Sequence, residues 1–156
     1  MPKVRTAKHA ITTILVPTDF SEYSKQALSY AEMLAKKFDA KIVLIHVIDT
    51  VSYIVSESVQ WTADVSARVQ GTIQPMLDDL IRDAEKRGIV AFSQLTQGVP
   101  YDQIVKAVED IRADLIVMGT HGRTGMRHVL LGSVAERVVR LAACPVLTVR
   151  SKGGDT

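Results

Sequence analysis

Five runs rich in Val, Ile and Leu, each too short for a helix, recur along the chain with longer segments of helical period between them. That alternation leaves few folds open. The runs are Ile11–Pro17, Lys41–Ile48, Val90–Gln97, Leu115–Gly119 and Val146–Arg150. They are apolar almost without interruption, the pattern of strands covered on both faces in a parallel sheet. Between them, Ser21–Phe38 sets Ala27, Leu28, Ala31, Leu34, Ala35 and Phe38 on one helical face. Pro100–Ile111 opens with a proline suited to a first turn and gathers Ile104, Val105, Val108 and Ile111. Ser133–Ala142 gathers Val134, Val138 and Leu141. A further helix ends at Gly88 after Met76, Leu77, Leu80, Ile81 and Ala84, and Pro75 is expected to start or kink it. Asp64–Gln74 then reads as a separate turn or an irregular approach.

Strand and helix in alternation predict a parallel α/β sheet with right-handed crossovers. In a flavodoxin-like order, 3-2-1-4-5, a ligand crevice opens beyond the strand ends where the order reverses, between strands one and four. The ends that meet there are Pro17-Thr18-Asp19 and the segment after Met118. Thr50–Ala63, with Tyr53 and Trp61, is a long connection without an assigned element, a length often used for a lid or a partner contact. With 156 residues the expectation is one domain, core 10–150, with a basic tail over 1–9 and a mobile tail over 151–156.

The segment after strand four carries the chemistry. Gly119-Thr120-His121-Gly122 is followed, nine residues on, by Gly132-Ser133 at the start of a helix. Glycines let backbone N–H groups approach a ligand without a Cβ in the way, and a helix start presents unpaired N–H groups and the positive end of its dipole. Strand, glycine loop and helix start together make a phosphate cradle, and so point to a nucleotide. Simpler roles exist for the same residues. Ser133-x-x-Glu136 and Asp19 with Glu22 both fit capping boxes. His121 alone suits a solvent-facing loop, His46 a packed strand end, and Cys144 a small buried hydrophobe.

Other chemistries are excluded. A phosphate-binding GxxxxGK[ST] loop needs a lysine, and none stands between Lys106 and Lys152. The dinucleotide GxGxxG is absent after strand one, and there is no GxSxG elbow. Four histidines in different elements and one cysteine make no metal site. A net charge of +2 argues against nucleic acid and acidic membranes as partners, and no apolar run approaches the roughly 20 residues of a membrane span. A lone cysteine suits a reducing cytoplasm.

These motifs together resemble the universal stress proteins, in their ATP-binding branch, over Ala10–Arg150. The family signature G-x2-G-x9-G-[ST] is met by Gly119, Gly122 and Gly132-Ser133, and its Pro-x-Asp turn by Pro17 and Asp19. His46-Val47 matches the end of its second strand, and Cys144-Pro145 the step before its last. The resemblance implies a five-stranded parallel sheet with helices on both faces, of the Rossmann-like, adenine-nucleotide alpha-hydrolase type. It implies that Asp19 and the backbone of Val47 address adenine, with Thr18 beside them and Pro17 and Met118 as apolar walls. Gly119, Thr120, His121, Gly122, Arg123 and Thr124 would wrap the ribose and phosphates. Gly132, Ser133 and Val134 would present N–H groups to the β- and γ-phosphates, with Mg²⁺ or Mn²⁺ held through the triphosphate. The last strand, Val146–Arg150, would pair with that of a second subunit in a homodimer.

The function that follows is an ATP-responsive regulatory module with protein partners that the sequence does not identify. The alternatives are a slow ATPase or phosphotransfer protein, a cyclic AMP binder, and a nucleotide-free interaction module. For hydrolysis, His121, Arg123 and Arg127 offer charge, but no committed general base is visible.

Overall fold

The computed structural model describes residues 10–123 and 130–151. The predicted tail 1–9, residues 152–156 of the tail predicted over 151–156, and the binding residue Thr124, like Arg127, lie outside them. The strands are β1 (Thr13–Pro17), β2 (Lys41–Ile48), β3 (Ala91–Gln97), β4 (Leu115–Gly119) and β5 (Val146–Val149). The helices are α1 (Glu22–Phe38), α2 (Thr50–Glu57), α3 (Ala63–Lys86), α4 (Pro100–Ile111) and α5 (Ser133–Leu141). All strand pairs are parallel, as the apolar runs predict, and their order, β3-β2-β1-β4-β5, is the flavodoxin-like one.

Alternate strand residues feed two core layers. Ile14, Val16, Ile42 and Leu44 pack with α1 and α3, while Leu15, Val43, Ile45 and Ile116 pack with α4 and α5. Eight of these strand side chains are buried, which is why the runs carry no polar alternation. The carboxylate of Asp114 ties the strand starts together, accepting from Thr12 N at 2.9 Å, Thr12 Oγ1 at 2.9 Å and Thr13 N at 3.0 Å. The β1–β4 ladder pairs Ile14 with Leu115 and Leu15 with Ile116 and stops there. Beyond it the order reversal opens the crevice.

Two expectations need correction. The unassigned connection holds a helix, α2, so the described residues carry five helices rather than four, with α2 and α3 in succession between β2 and β3. Its start is capped by Asp49, whose Oδ1 accepts from Ser52 N at 3.1 Å. And Pro75 does not start α3, which runs through it from Ala63 to Lys86, so that Asp64–Gln74 is helix rather than a separate turn or irregular approach. The ring removes the bond to the Gly71 carbonyl, but Gly71 and Pro75 are both exposed, so that oxygen is not left unpaired in an apolar interior.

Both proposed capping boxes also fall elsewhere. α1 is capped by Ser21, whose Oγ accepts from Ser24 N at 3.3 Å, and Asp19 Oδ1 accepts from Ser21 N at 3.0 Å instead. α5 has Gly132 at its cap position with no side-chain bond, and Ser133 is the first residue of the helix. A glycine cap leaves the first N–H groups of α5 to whatever lies in front of them.

Candidate functional site

The turn between β1 and α1 is built by its own side chains. Thr18 is buried, and its Oγ1 donates to Ser24 Oγ at 3.1 Å while accepting from Phe20 N at 3.1 Å. Phe20 has a φ of +64°, a left-handed backbone that costs a bulky residue energy and needs support from its surroundings. That support is His46. Its ring lies 4.9 Å from the Phe20 ring, and its Nδ1 is 2.8 Å from the Thr18 carbonyl oxygen. A carbonyl only accepts, so Nδ1 carries the proton and donates. Burial pushes the His46 pKa below its ordinary value and keeps the ring neutral.

The glycine loop closes on this turn. A Cβ at Gly119 would stand 3.0–3.1 Å from Cβ and backbone atoms of Tyr23, so glycine is needed there for α1 to cross the end of β4. A Cβ at Gly122 would come within 2.9 Å of Asp19 Oδ2, and one at Gly132 within 3.3 Å of the Thr120 carbonyl. None of the three has a positive φ; close approach explains each of them. Gly132 N–H donates to the Thr120 carbonyl at 2.6 Å, which brings the start of α5 against the end of β4. Arg123 Nε donates to the Asp19 carbonyl at 2.9 Å and joins the loop to the β1–α1 turn. His121 Nδ1 lies 2.9 Å from Thr120 Oγ1, and its ring stands 5.6 Å from Tyr23.

In front of these elements lies a cavity of about 780 Å³, within the usual range for small-molecule sites. Pro17, Thr18, Asp19 and Val47 line it from β1 and β2. Met118, Gly119, Thr120, His121, Gly122 and Arg123 line it from β4 and its loop, and Gly132, Ser133 and Val134 from α5. Thirteen of the fourteen residues picked out from the sequence thus share one cavity, Thr124 being outside the described residues. The structure adds residues that sequence reasoning missed: His46, and Asp49, Ser52, Tyr53 and Ser56 on one face of α2. Spacing of 49, 52, 53 and 56, opening with an Asp-x-x-Ser cap, was the available signal. His46 is also the packed, hydrogen-bonded strand residue expected of it, and Trp61 packs edge-on against Tyr53. Cys144 is only half buried, and burial pushes its thiol pKa up.

The model of the universal stress protein family matches residues 10–150. The chain belongs to this family. It is 38% identical to the universal stress protein MJ0531 of Methanocaldococcus jannaschii over 94% of its own length and 86% of that protein's. Among solved structures, that of MJ0577 from the same organism superposes with a TM-score of 0.84 at 30% identity, covering 93% of this chain and 99% of that one. A universal stress protein solved in complex with cAMP superposes with a TM-score of 0.68 at 25% identity, covering 90% and 98% of the two chains. Among the described residues, no helix is long and apolar enough to cross a membrane.

Proposed function

We propose that this universal stress protein binds an adenine nucleotide, ATP first, in the cavity, and that occupancy makes it a cytoplasmic, nucleotide-responsive regulatory module. One observation carries the reading. The Asp19 turn and the glycine loop, joined through Arg123, form a single wall with the uncapped start of α5. The free N–H groups of Ser133 and Val134, at the positive end of the helix dipole, suit phosphate oxygens. Gly119–Thr124 then wrap the ribose and phosphates, and Pro17 and Met118 flank the base, which Asp19 and the Val47 backbone address.

Among the described residues, no group of three His, Cys, Asp or Glu side chains could hold a metal ion alone. Mg²⁺ or Mn²⁺ would therefore be coordinated mainly by the triphosphate. The β5 edge, with Leu147 exposed on the strand and Val139 and Leu141 on the adjoining α5, supports pairing with a second copy. A second ligand, cyclic AMP, is favoured by the solved relative that holds it.

Calorimetric titration of ligand-free protein with ATP and Mg²⁺, beside AMP and cyclic AMP, tests the reading. Saturable ATP binding, weaker for AMP, is expected. Preference for cyclic AMP would keep the cavity and change the signal, and no binding of any of the three would overturn the proposal.

A further inference from the structure

The Thr50–Ala63 segment, with its aromatic pair, is unused by that reading. α2 follows directly from β2, whereas the phosphate end of the cavity lies over β4 and α5. With the order β2-β1-β4, the two ends are two strand spacings apart, about 10 Å. A nucleotide with its phosphates at Gly132–Val134 and its base at Asp19 and Val47 therefore sets the base beside α2. The α2 face on the cavity carries Asp49, Ser52, Tyr53 and Ser56. Asp49, Ser52 and Ser56 are engaged within the helix: Asp49 accepts from Ser52 N and, at 2.8 Å, from Ser52 Oγ, while Ser56 Oγ donates to the Tyr53 carbonyl at 3.3 Å. The ring of Tyr53 is what this face offers a ligand, next to the apolar Val69 and Ile73 of α3. Behind it stands Trp61, edge-on at 5.4 Å and 78°, outside the cavity wall.

We infer that Tyr53 is a specificity-determining residue that packs its ring against the planar base of the bound nucleotide. This rests on the nucleotide reading above. Aromatic rings gain from offset or edge contacts with planar π-systems beyond the area they bury. Trp61, the single tryptophan of the chain, touches the same ring and reports its environment.

Two ligands separate the base from the phosphates: ATP, and inorganic tripolyphosphate, which has no base. In Tyr53→Ala the Kd for ATP is expected to rise about tenfold, with tripolyphosphate binding unchanged. Tyr53→Phe should stay within about twofold of wild type for both. ATP should also change the Trp61 emission of the wild type, and tripolyphosphate should not. Tyr53 is half-buried on a helix with no fully buried side chain, so the variants are expected to keep the fold, which their thermal unfolding checks. Wild-type affinity for ATP in Tyr53→Ala, or equal losses for both ligands, would overturn this inference and leave the cavity reading standing. Failure of the wild type to bind either ligand would overturn both.

Discussion

Around Asp19 and Gly122 every segment is held by at least two others, while α2 on the opposite rim has no fully buried side chain. At the first corner, Arg123, the close-approach glycines and the His46–Phe20 pair hold the backbone segments against one another. At the second, the contacts are a helix cap, one aromatic pair and exposed valines. Backbone N–H groups recognise phosphate only when preorganised, and a few buried contacts are enough to seat a flat base. The contrast predicts that substitutions at the tight corner cost stability or abolish binding, whereas those at α2 alter affinity alone.

The largest effect is expected at Gly119. An alanine Cβ there meets Tyr23 backbone atoms at 3.1 Å, and these belong to a helix packed across the sheet. Gly119→Ala should lower unfolding free energy by about 2–3 kcal/mol, read as the shift of the urea midpoint. Loss below about 0.5 kcal/mol, on the order of an ordinary surface change, would show that this corner gives way as readily as the α2 rim.

Gly122→Ala acts one step further out. Its Cβ meets Asp19 Oδ2, the end of a short side chain whose Oδ1 is held by Ser21 N. The carboxylate must turn away, so ATP affinity should fall about tenfold with the unfolding midpoint little changed. Calorimetry beside thermal unfolding separates the two. Equal losses in both would place the glycine's role in folding and not in the cavity.

The two ends of the sheet differ in their pH windows as well. Burial holds His46 below its ordinary 6.5, so on acidification the unfolded chain takes up that proton first. Stability is whole above pH 6.5 and declines from there towards the folded value. Hydrogen bonds from Thr12 and Thr13 hold Asp114 below its ordinary 3.8, so its contribution is present above pH 3.8 and lost as the pH falls through the folded value. Urea midpoints across this range should show two separate declines. His46→Asn should remove the upper one and Asp114→Asn the lower.

How far the sequence carried these features follows from the physics of each. Strands buried on both faces write themselves as continuous apolar runs, so Ile42–Ile45 and Leu115–Met118 were plain, whereas the sheet order is set by long-range pairing and was taken from the flavodoxin-like pattern rather than read from the residues. The glycine signature was legible because close approach leaves no other residue type. α2 was hidden because a helix with no fully buried residue has no apolar stripe to betray it. Pro75 misled because its penalty depends on which side of the helix it faces, and a linear sequence does not record that. Gly132 and Ser133 illustrate the same point at finer scale: the capping pattern was present, but the chain starts its helix one residue earlier than the pattern requires.

The smallest effect is the one that probes α2 directly. Val55 is 74% exposed, on a helix with no buried residue, so it makes few contacts for serine to lose. Val55→Ser should shift the unfolding free energy by less than about 0.5 kcal/mol and leave ATP affinity unchanged, since Val55 lies off the face that lines the cavity. Denaturation at two protein concentrations makes the measurement stricter. A midpoint that falls in the variant only at the higher concentration would mean that a second copy covers the valines of α2. The loosely held rim would then be an interface, and the contrast between the two corners would belong to the single chain alone.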